Sequence, residues 1–204
     1  MEAVFALVGV WTLLLVAPQL AVRVGVGAAL LCVHAAATVL LLATRPRDAT
    51  PLAVSPRVLV VAWTAGCVSF PGWIAVTWLV GCALGLPPRA GGLPGAAGLA
   101  AWLAVLLLAP VFEELLYRER LLDALRVRLG SSAAVVATSA LFALPHAEPW
   151  HITATALVGL GLGAARCAGA PLAACMAFHA GLNAAAWLAG QGTSDPVLNV
   201  PTKN

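Results

Sequence analysis

The sequence predicts an all-α fold, a polytopic transmembrane helix bundle of about seven helices (six to eight). Hydrophobic residues occupy 62% of the 204 positions and charged residues only 9%, whereas a soluble domain carries about 25% charged residues. The mean hydropathy is +0.97, and the apolar residues collect into runs long enough to cross a bilayer. We therefore expect a single integral membrane domain over 1–204, surrounded by membrane lipids and without a nucleic-acid partner.

Seven apolar runs alternate with short stretches that are polar or rich in glycine and proline. They cover 3–22, 24–43, 58–86, 96–117, 132–146, 152–168 and 171–190, and the first is expected to break near Pro18. The fourth run continues into an amphipathic stretch over 118–129, so we expect one long helix whose last third leaves the hydrocarbon. Glycine and proline predict a loop over 87–95, and the polar residues 191–204 predict a loose C-terminal tail.

Arginine placement predicts the orientation in the membrane. Most arginines cluster at 45–57, at 118–128 and at 166, whereas Arg23 and Arg89 fall on the opposite side of an alternating topology. An alternating topology places these clusters on one side, which the positive-inside rule makes cytoplasmic together with the N-terminus. Arg120, Arg126 and Arg128 are interpreted as orientation signals that contact lipid headgroups. The small, alanine-rich chain suggests a bacterial cytoplasmic (inner) membrane.

The polar residues expected at membrane depth fall mostly in the second half of the chain. The main ones are Glu113, Glu114, His146, His179 and Asn183. Ionisable residues at that depth are costly and mark functional sites. The asymmetry predicts scaffold helices over 1–95 and catalytic helices over 96–190.

Helix geometry brings three of these residues to similar depths. Glu113 lies 17 positions before Gly130 and His146 lies 16 positions after it. Two antiparallel helices joined at Gly130 would carry both side chains about 25 Å from the turn. His179 lies eight positions after Pro171. It reaches a comparable depth once the protruding end of the fourth helix is subtracted.

A carboxylate and a histidine at one depth can hold a water between them. Burial strengthens a glutamate as a general base near neutral pH, which suits Glu113 opposite His146. His179 and Asn183, four residues apart, could donate hydrogen bonds to a developing oxyanion. The set suits peptide-bond hydrolysis. Two histidines and one glutamate also form a zinc-hydrolase ligand set, so Glu113, His146 and His179 are alternative Zn²⁺ ligands.

Three short motifs follow one another on successive apolar runs. They are Glu113-Glu114-x-x-x-Arg118, Phe142-x-x-x-His146 and His179-x-x-x-Asn183, and Arg166-x-x-Gly169-x-Pro171-Leu172 precedes the last. In this order they resemble the CPBP family, the CAAX prenyl proteases and bacteriocin-processing or immunity proteins also called Abi. The resemblance covers about residues 100–190. It implies a glutamate-dependent intramembrane endopeptidase.

The resemblance also assigns roles to the motif residues. Glu113 and His146 would activate the water, and His179 and Asn183 would form the oxyanion hole. Glu114 and Arg118 would support Glu113, and Phe142 belongs to the supporting motif. No cofactor is expected in this reading, with Zn²⁺ as the alternative.

The resemblance further implies a membrane-anchored protein or peptide as substrate, either lipidated or held by a transmembrane segment. A further alternative is a non-enzymatic immunity or regulatory protein that uses the same fold to bind a membrane partner. The sequence predicts no oligomeric state.

Overall fold

The chain, seen in a computed structural model, is described over residues 2–47, 49, 51–86, 99–146 and 148–190. These residues form seven helices: α1 Glu2–Val24, α2 Val26–Ala43, α3 Pro56–Ala83, α4 Leu99–Leu129, α5 Ser131–Ala143, α6 Pro149–Cys167 and α7 Leu172–Gly190. No strand occurs in these ranges, so the predicted all-α class is confirmed. The predicted loop over 87–95 and the predicted tail over 191–204 lie outside the described residues.

Four of these helices, α2, α3, α4 and α7, are long and apolar enough to cross a membrane. The chain is therefore a multi-pass membrane protein. The apolar segment Ser131–His146 is shorter than these four. Helix α1 runs without interruption through Pro18, so the predicted break there is wrong.

Helix α4 is the central helix of the bundle. Half of its most apolar stretch is buried, compared with 6% for α3, which is peripheral. Helices α1, α2, α5 and α7 all contact it, and residues 114–122 are buried without exception. A helix at the edge of a bundle would alternate between buried and exposed faces. Residues 114–122 of α4 are therefore enclosed from every side, whereas Glu113 directly before them is partly exposed.

Helix α4 is not a regular α-helix. Ala104–Leu108 and Glu114–Leu121 have π-helical hydrogen bonding, in which each turn holds more residues than an α-turn. Pro110 lacks an N–H, so the carbonyl of Leu106 loses its α-helical donor next to the first π segment. Such segments often occur at functional sites, and the second one begins at the motif glutamate Glu114.

Two single glycines make the tightest connections. Gly25 joins α1 to α2 with φ 85° and ψ 153°, and Gly130 joins α4 to α5 with φ 76° and ψ 168°. Side chains beyond glycine are strained in this region of backbone space. The turn that the sequence predicts at Gly130 is confirmed, and it allows α5 to pack directly against the end of α4.

Helices α3 and α7 approach to backbone contact. A Cβ atom added at Gly66 would fall on the carbonyl oxygen of Phe178, and one added at Gly181 would fall on the carbonyl oxygen of Trp63. The Cys67 thiol also donates to the Gly181 carbonyl at 3.3 Å. Small residues permit such approaches between membrane helices. This contact fixes α7, which carries the histidine and asparagine of the third motif.

We expect Gly66→Ala to destabilise the protein, because the carbonyl beneath it belongs to a helix backbone and cannot move aside alone. Overpacking of this kind costs about 1–3 kcal/mol. Thermal unfolding in detergent measures the loss. Gly72 of the same helix has no atom within 4 Å of an added Cβ, so Gly72→Ala is the matched control and should unfold at or above the wild-type temperature. Equal unfolding temperatures for Gly66→Ala and wild type would contradict this contact.

Candidate active site

Two consecutive glutamates of α4 converge on one histidine of α7. Nδ1 of His179 lies 3.1 Å from Oε1 of Glu114, and Nε2 lies 3.6 Å from Oε2 of Glu113. Neighbouring side chains on a helix diverge by about 100°, and the two ring nitrogens of an imidazole likewise face different directions. His179 therefore bridges both carboxylates, and it is itself 5% exposed.

Glu114 is the inner of the two carboxylates. Its side chain is fully buried, and Nη1 of Arg118 lies 3.4 Å from its Oε1. Nη2 of Arg118 donates to the carbonyl of Gly159 in α6 at 3.3 Å. The predicted pairing of Glu114 with Arg118 is confirmed. Because one guanidinium contacts both α4 and α6, it also ties these two helices together.

Phe142 of α5 is the aromatic centre of the cluster. The guanidinium carbon of Arg118 lies 4.5 Å from the centre of its ring, a cation–π contact. The rings of Tyr117, His146 and His179 meet it edge-on, with centroids at 5.3, 5.8 and 5.7 Å. Both site histidines therefore contact the same ring, which places them in one layer of the bundle.

His146 ends a short 3₁₀ turn rather than an α-helix. The helix predicted over 132–146 is α-helical only to Ala143, and Leu144–His146 form the tighter turn. Pro145 within this turn cannot donate the hydrogen bond of an α-helix. Nδ1 of His146 lies 3.3 Å from the carbonyl of Ala143. A carbonyl only accepts, so Nδ1 carries the proton and Nε2 of the neutral ring is an acceptor.

Asn183 lies one turn beyond His179 on α7. Its Nδ2 donates to the carbonyl of Val105 at 3.0 Å, within the first π segment of α4. A carboxamide carries two N–H donors, and this bond occupies one of them. Asn183 therefore attaches α7 to α4 directly beside the site.

A metal ion needs several donor side chains that converge on one point. Within the described ranges, no group of three His, Cys, Asp or Glu side chains converges closely enough to hold one. The hydrogen bonds and ion pairs of the two glutamates are with His179 and Arg118, whereas His146 contacts Phe142 and the Ala143 carbonyl. The arrangement thus does not present Glu113, His146 and His179 as three ligands around one point.

The interpretation of Arg120 as a headgroup contact is wrong. Arg120 is 7% exposed and Glu119 beside it 6%, and Nη2 of Arg120 donates to the Leu41 carbonyl of α2 at 2.9 Å. Arg128, by contrast, is exposed at the end of α4. The sequence feature that could have indicated this burial is the run Arg118-Glu119-Arg120. Three consecutive charges cannot all reach solvent from a helix enclosed on every side.

Residues 95–185 match the family described as type II CAAX prenyl endopeptidase Rce1-like. This part of the chain is similar to the Rce1-like family. The match includes all three motifs, from Glu113 to Asn183, and confirms the family resemblance predicted from the sequence. No curated protein and no solved structure matches the chain.

The matched region contains helices α4 to α6 and most of α7, and thus Glu113, Glu114, Arg118, His146, His179 and Asn183. The match to this family indicates a protease. The four membrane-length helices indicate that the chain lies in a lipid bilayer. Helices α1, α2 and α3 precede the matched region.

Proposed function

We propose that this chain is an intramembrane endopeptidase that hydrolyses a peptide bond of a membrane-anchored substrate with a water activated by Glu113. The observation that carries the proposal is the bridging of Glu113 and Glu114 by His179, at 3.6 and 3.1 Å, inside an apolar bundle. A buried carboxylate pair with one imidazole is costly to maintain and suits acid–base chemistry.

The difference in burial assigns the roles of the two carboxylates. The Glu113 side chain is 16% exposed and the Glu114 side chain 0%. Only Glu113 is open to an entering water, so Glu113 is the general base. Glu114, held between Arg118 and His179, orients the imidazole. Nε2 of His146, the acceptor nitrogen, is the second group proposed to bind the water.

In the proposed reaction Glu113 removes a proton from the water as its oxygen attacks the scissile carbonyl. His179, with the remaining N–H of Asn183, donates hydrogen bonds to the oxyanion that forms. Glu113 then returns the proton to the leaving amine as the C–N bond breaks. The net reaction consumes one water and releases a carboxylate and an amine, and no cofactor takes part.

An apolar groove beside the site supports a membrane-anchored substrate. The groove has a volume of about 430 Å³, lies between α3, α4 and α7, and is lined by apolar side chains only. Pro110 and Met176 line it, each three residues before a site residue, Glu113 and His179 respectively. Side chains three apart on a helix are neighbours. The groove could therefore hold the lipid or apolar segment of a substrate while its peptide bond reaches Glu113.

We expect Ala177→Trp to fill this groove and to lower kcat/KM for an anchored peptide by about tenfold or more, because one apolar group in a subsite is worth about 1–3 kcal/mol. Leu188 of the same helix is 73% exposed, so Leu188→Trp is the matched control with wild-type kinetics. Cleavage of a soluble, unanchored peptide should be affected less. Equal losses for anchored and soluble peptides would argue against the groove as a substrate subsite.

The function is tested with purified protein in nanodiscs and three peptide substrates: a farnesylated C-terminal peptide, the same peptide without the lipid, and a transmembrane peptide. Mass spectrometry should find cleavage of at least one anchored substrate by wild type and none by Glu113→Gln. Metal analysis and chelator treatment distinguish the glutamate mechanism from the zinc alternative, because only the zinc enzyme would contain bound metal and lose activity with a chelator. Failure to cleave any peptide, with biological activity retained in Glu113→Gln, would favour the non-enzymatic alternative.

We also propose a bacterial inner-membrane location with a cytoplasmic N-terminus. Arg45 at the end of α2 contacts Glu119 of α4, so two of the arginine clusters lie at the same end of the bundle. Basic residues favour the cytoplasmic side. Reporter fusions at the N-terminus and after Gly130 test this orientation. We expect both positions to report the cytoplasmic side.

A further inference from the structure

A second buried charge cluster lies directly beyond the catalytic motif. Arg45 follows α2, and its Nε lies 3.1 Å from both carboxylate oxygens of Glu119, with Nη2 2.7 Å from Oε1. Arg120 donates from Nη2 to the Leu41 carbonyl and to Oγ1 of Thr44, both at 2.9 Å. We refer to Arg45, Glu119 and Arg120 together as the latch.

The latch joins the end of α2 to the π-helical segment of α4. The last carbonyls of a helix lack intrahelical donors and carry partial negative charge. The Arg120 guanidinium meets one of them at Leu41. The hydrogen bonds that Arg45 donates to Glu119 raise the pKa of Arg45 above its ordinary value, so this cation is retained at every accessible pH.

Glu119 and Arg120 lie on α4, and Arg45 follows α2. These latch residues connect α4 to the end of α2. At the other end of the same π segment, Arg118 contacts α6 and Glu114 contacts α7. Buried charges cost free energy even when paired, and apolar residues of similar volume often serve stability equally well. Stability alone therefore does not explain a buried Glu119 and Arg120 at this place.

We propose that the latch residues are positioning residues, which hold the π-helical turn that directs Glu113 and Glu114 towards His179. A π turn holds more residues than an α turn. If it relaxed to α-helix by one residue, the parts of α4 on its two sides would rotate relative to each other by about 100°. With α4 held beyond the turn by its neighbours, the carboxylates would leave the imidazole. The latch prevents this relaxation because it holds Glu119 and Arg120, at the C-terminal end of the π turn, against the end of α2.

The test compares Arg45→Gln with wild type, because Arg45 lies outside the helices and its side chain is 18% exposed, more than either partner. Histidine ring signals in ¹⁵N NMR spectra report the surroundings of His179 without any substrate. We expect the His179 signals to shift in Arg45→Gln, while those of the partly exposed His151 stay at wild-type positions. Arg45→Lys, which keeps the charge, should restore them in part.

The kinetic readout rests on the proposed function. Misplacement of a catalytic group by about 1 Å can lower the rate about 100-fold. We therefore expect kcat of Arg45→Gln to fall by up to about 100-fold, with KM nearly unchanged. Arg126→Gln is the matched control, since Arg126 forms a partly exposed pair with Asp123 on the same helix at 3.8 Å. It should keep wild-type kcat.

Unchanged His179 signals in folded Arg45→Gln would overturn the positioning role, whatever the activity. If Arg45→Gln does not fold, the same comparison is made with Glu119→Gln. Absence of any peptide cleavage by wild type would instead refute the proposed protease function. The NMR comparison would still decide the role of the latch, so the two failures are distinguishable.

Discussion

Glu113→Gln is expected to lower the rate of peptide cleavage by about 10²–10⁴-fold, the usual loss when a general base is removed. Glutamine keeps the size and the hydrogen-bonding capacity of the side chain but cannot take the proton of the water. Glu113 is partly exposed and meets His179 at 3.6 Å, so the substitution should leave the fold intact. Cleavage of an anchored peptide in nanodiscs, followed by mass spectrometry over a time course, measures the effect.

Asp123→Asn is the control for removing a carboxylate from α4. The Asp123 side chain is 47% exposed, and Arg126, also exposed, lies 3.8 Å away. The Asp123→Asn variant should cleave the peptide at the wild-type rate. A Glu113→Gln protein that cleaves as fast as Asp123→Asn would eliminate Glu113 as the base. Thermal unfolding of both variants separates a chemical effect from a loss of folded protein.

Arg118→Ala is expected to cause the largest loss of stability, about 3–5 kcal/mol, the range for removing one partner of a buried ion pair. The Arg118 side chain is 1% exposed, and it contacts the fully buried Glu114, the Gly159 carbonyl and the face of Phe142. Its removal leaves a buried carboxylate without its cation and a cavity above an aromatic ring. The loss is measured by unfolding the protein in mixed micelles with an increasing fraction of a denaturing detergent and monitoring tryptophan fluorescence.

Two variants refine the stability test. Arg126→Ala removes an exposed arginine from the same helix and should unfold like wild type, because exposed ion pairs contribute little. The double variant Glu114→Gln/Arg118→Met should recover part of the stability lost in Arg118→Ala, since it no longer buries an unpaired charge. A single variant as stable as Arg126→Ala would show that Arg118 does not compensate Glu114.

Much of the fold could be predicted from the sequence because hydrophobic length is a local property. Each predicted run overlaps a helix, and the turn at Gly130 was readable from one residue. The tight contact of α3 with α7 was not readable. Gly66 and Gly181 are two of 19 glycines, and only the packed bundle places each against the carbonyl of another helix.

The candidate residues and the Glu114–Arg118 pair within α4 could be predicted from the sequence, but the pairings between helices could not. Motif order and helical depth indicated that Glu113, His146 and His179 belong to one layer. The expected partner of Glu113 was His146, whereas the observed neighbour is His179. Depth along a helix follows from sequence spacing, but rotation about the helix axis does not, and the π segments of α4 change that rotation. The catalytic roles themselves remain predictions for the variants above.

The sequence by itself determined that this protein is an all-helical membrane protein with its polar residues on α4, on α7 and at the end of the segment that begins with α5. Those conclusions depend on hydrophobicity, helical spacing and three motifs, all of which are local along the chain. Only the tertiary structure decided that His179 bridges both glutamates and that Glu119 and Arg120 are buried against α2. The physical reason is that a charge in a helix gains its partners from neighbouring helices. Their identity depends on how each helix is rotated in the bundle.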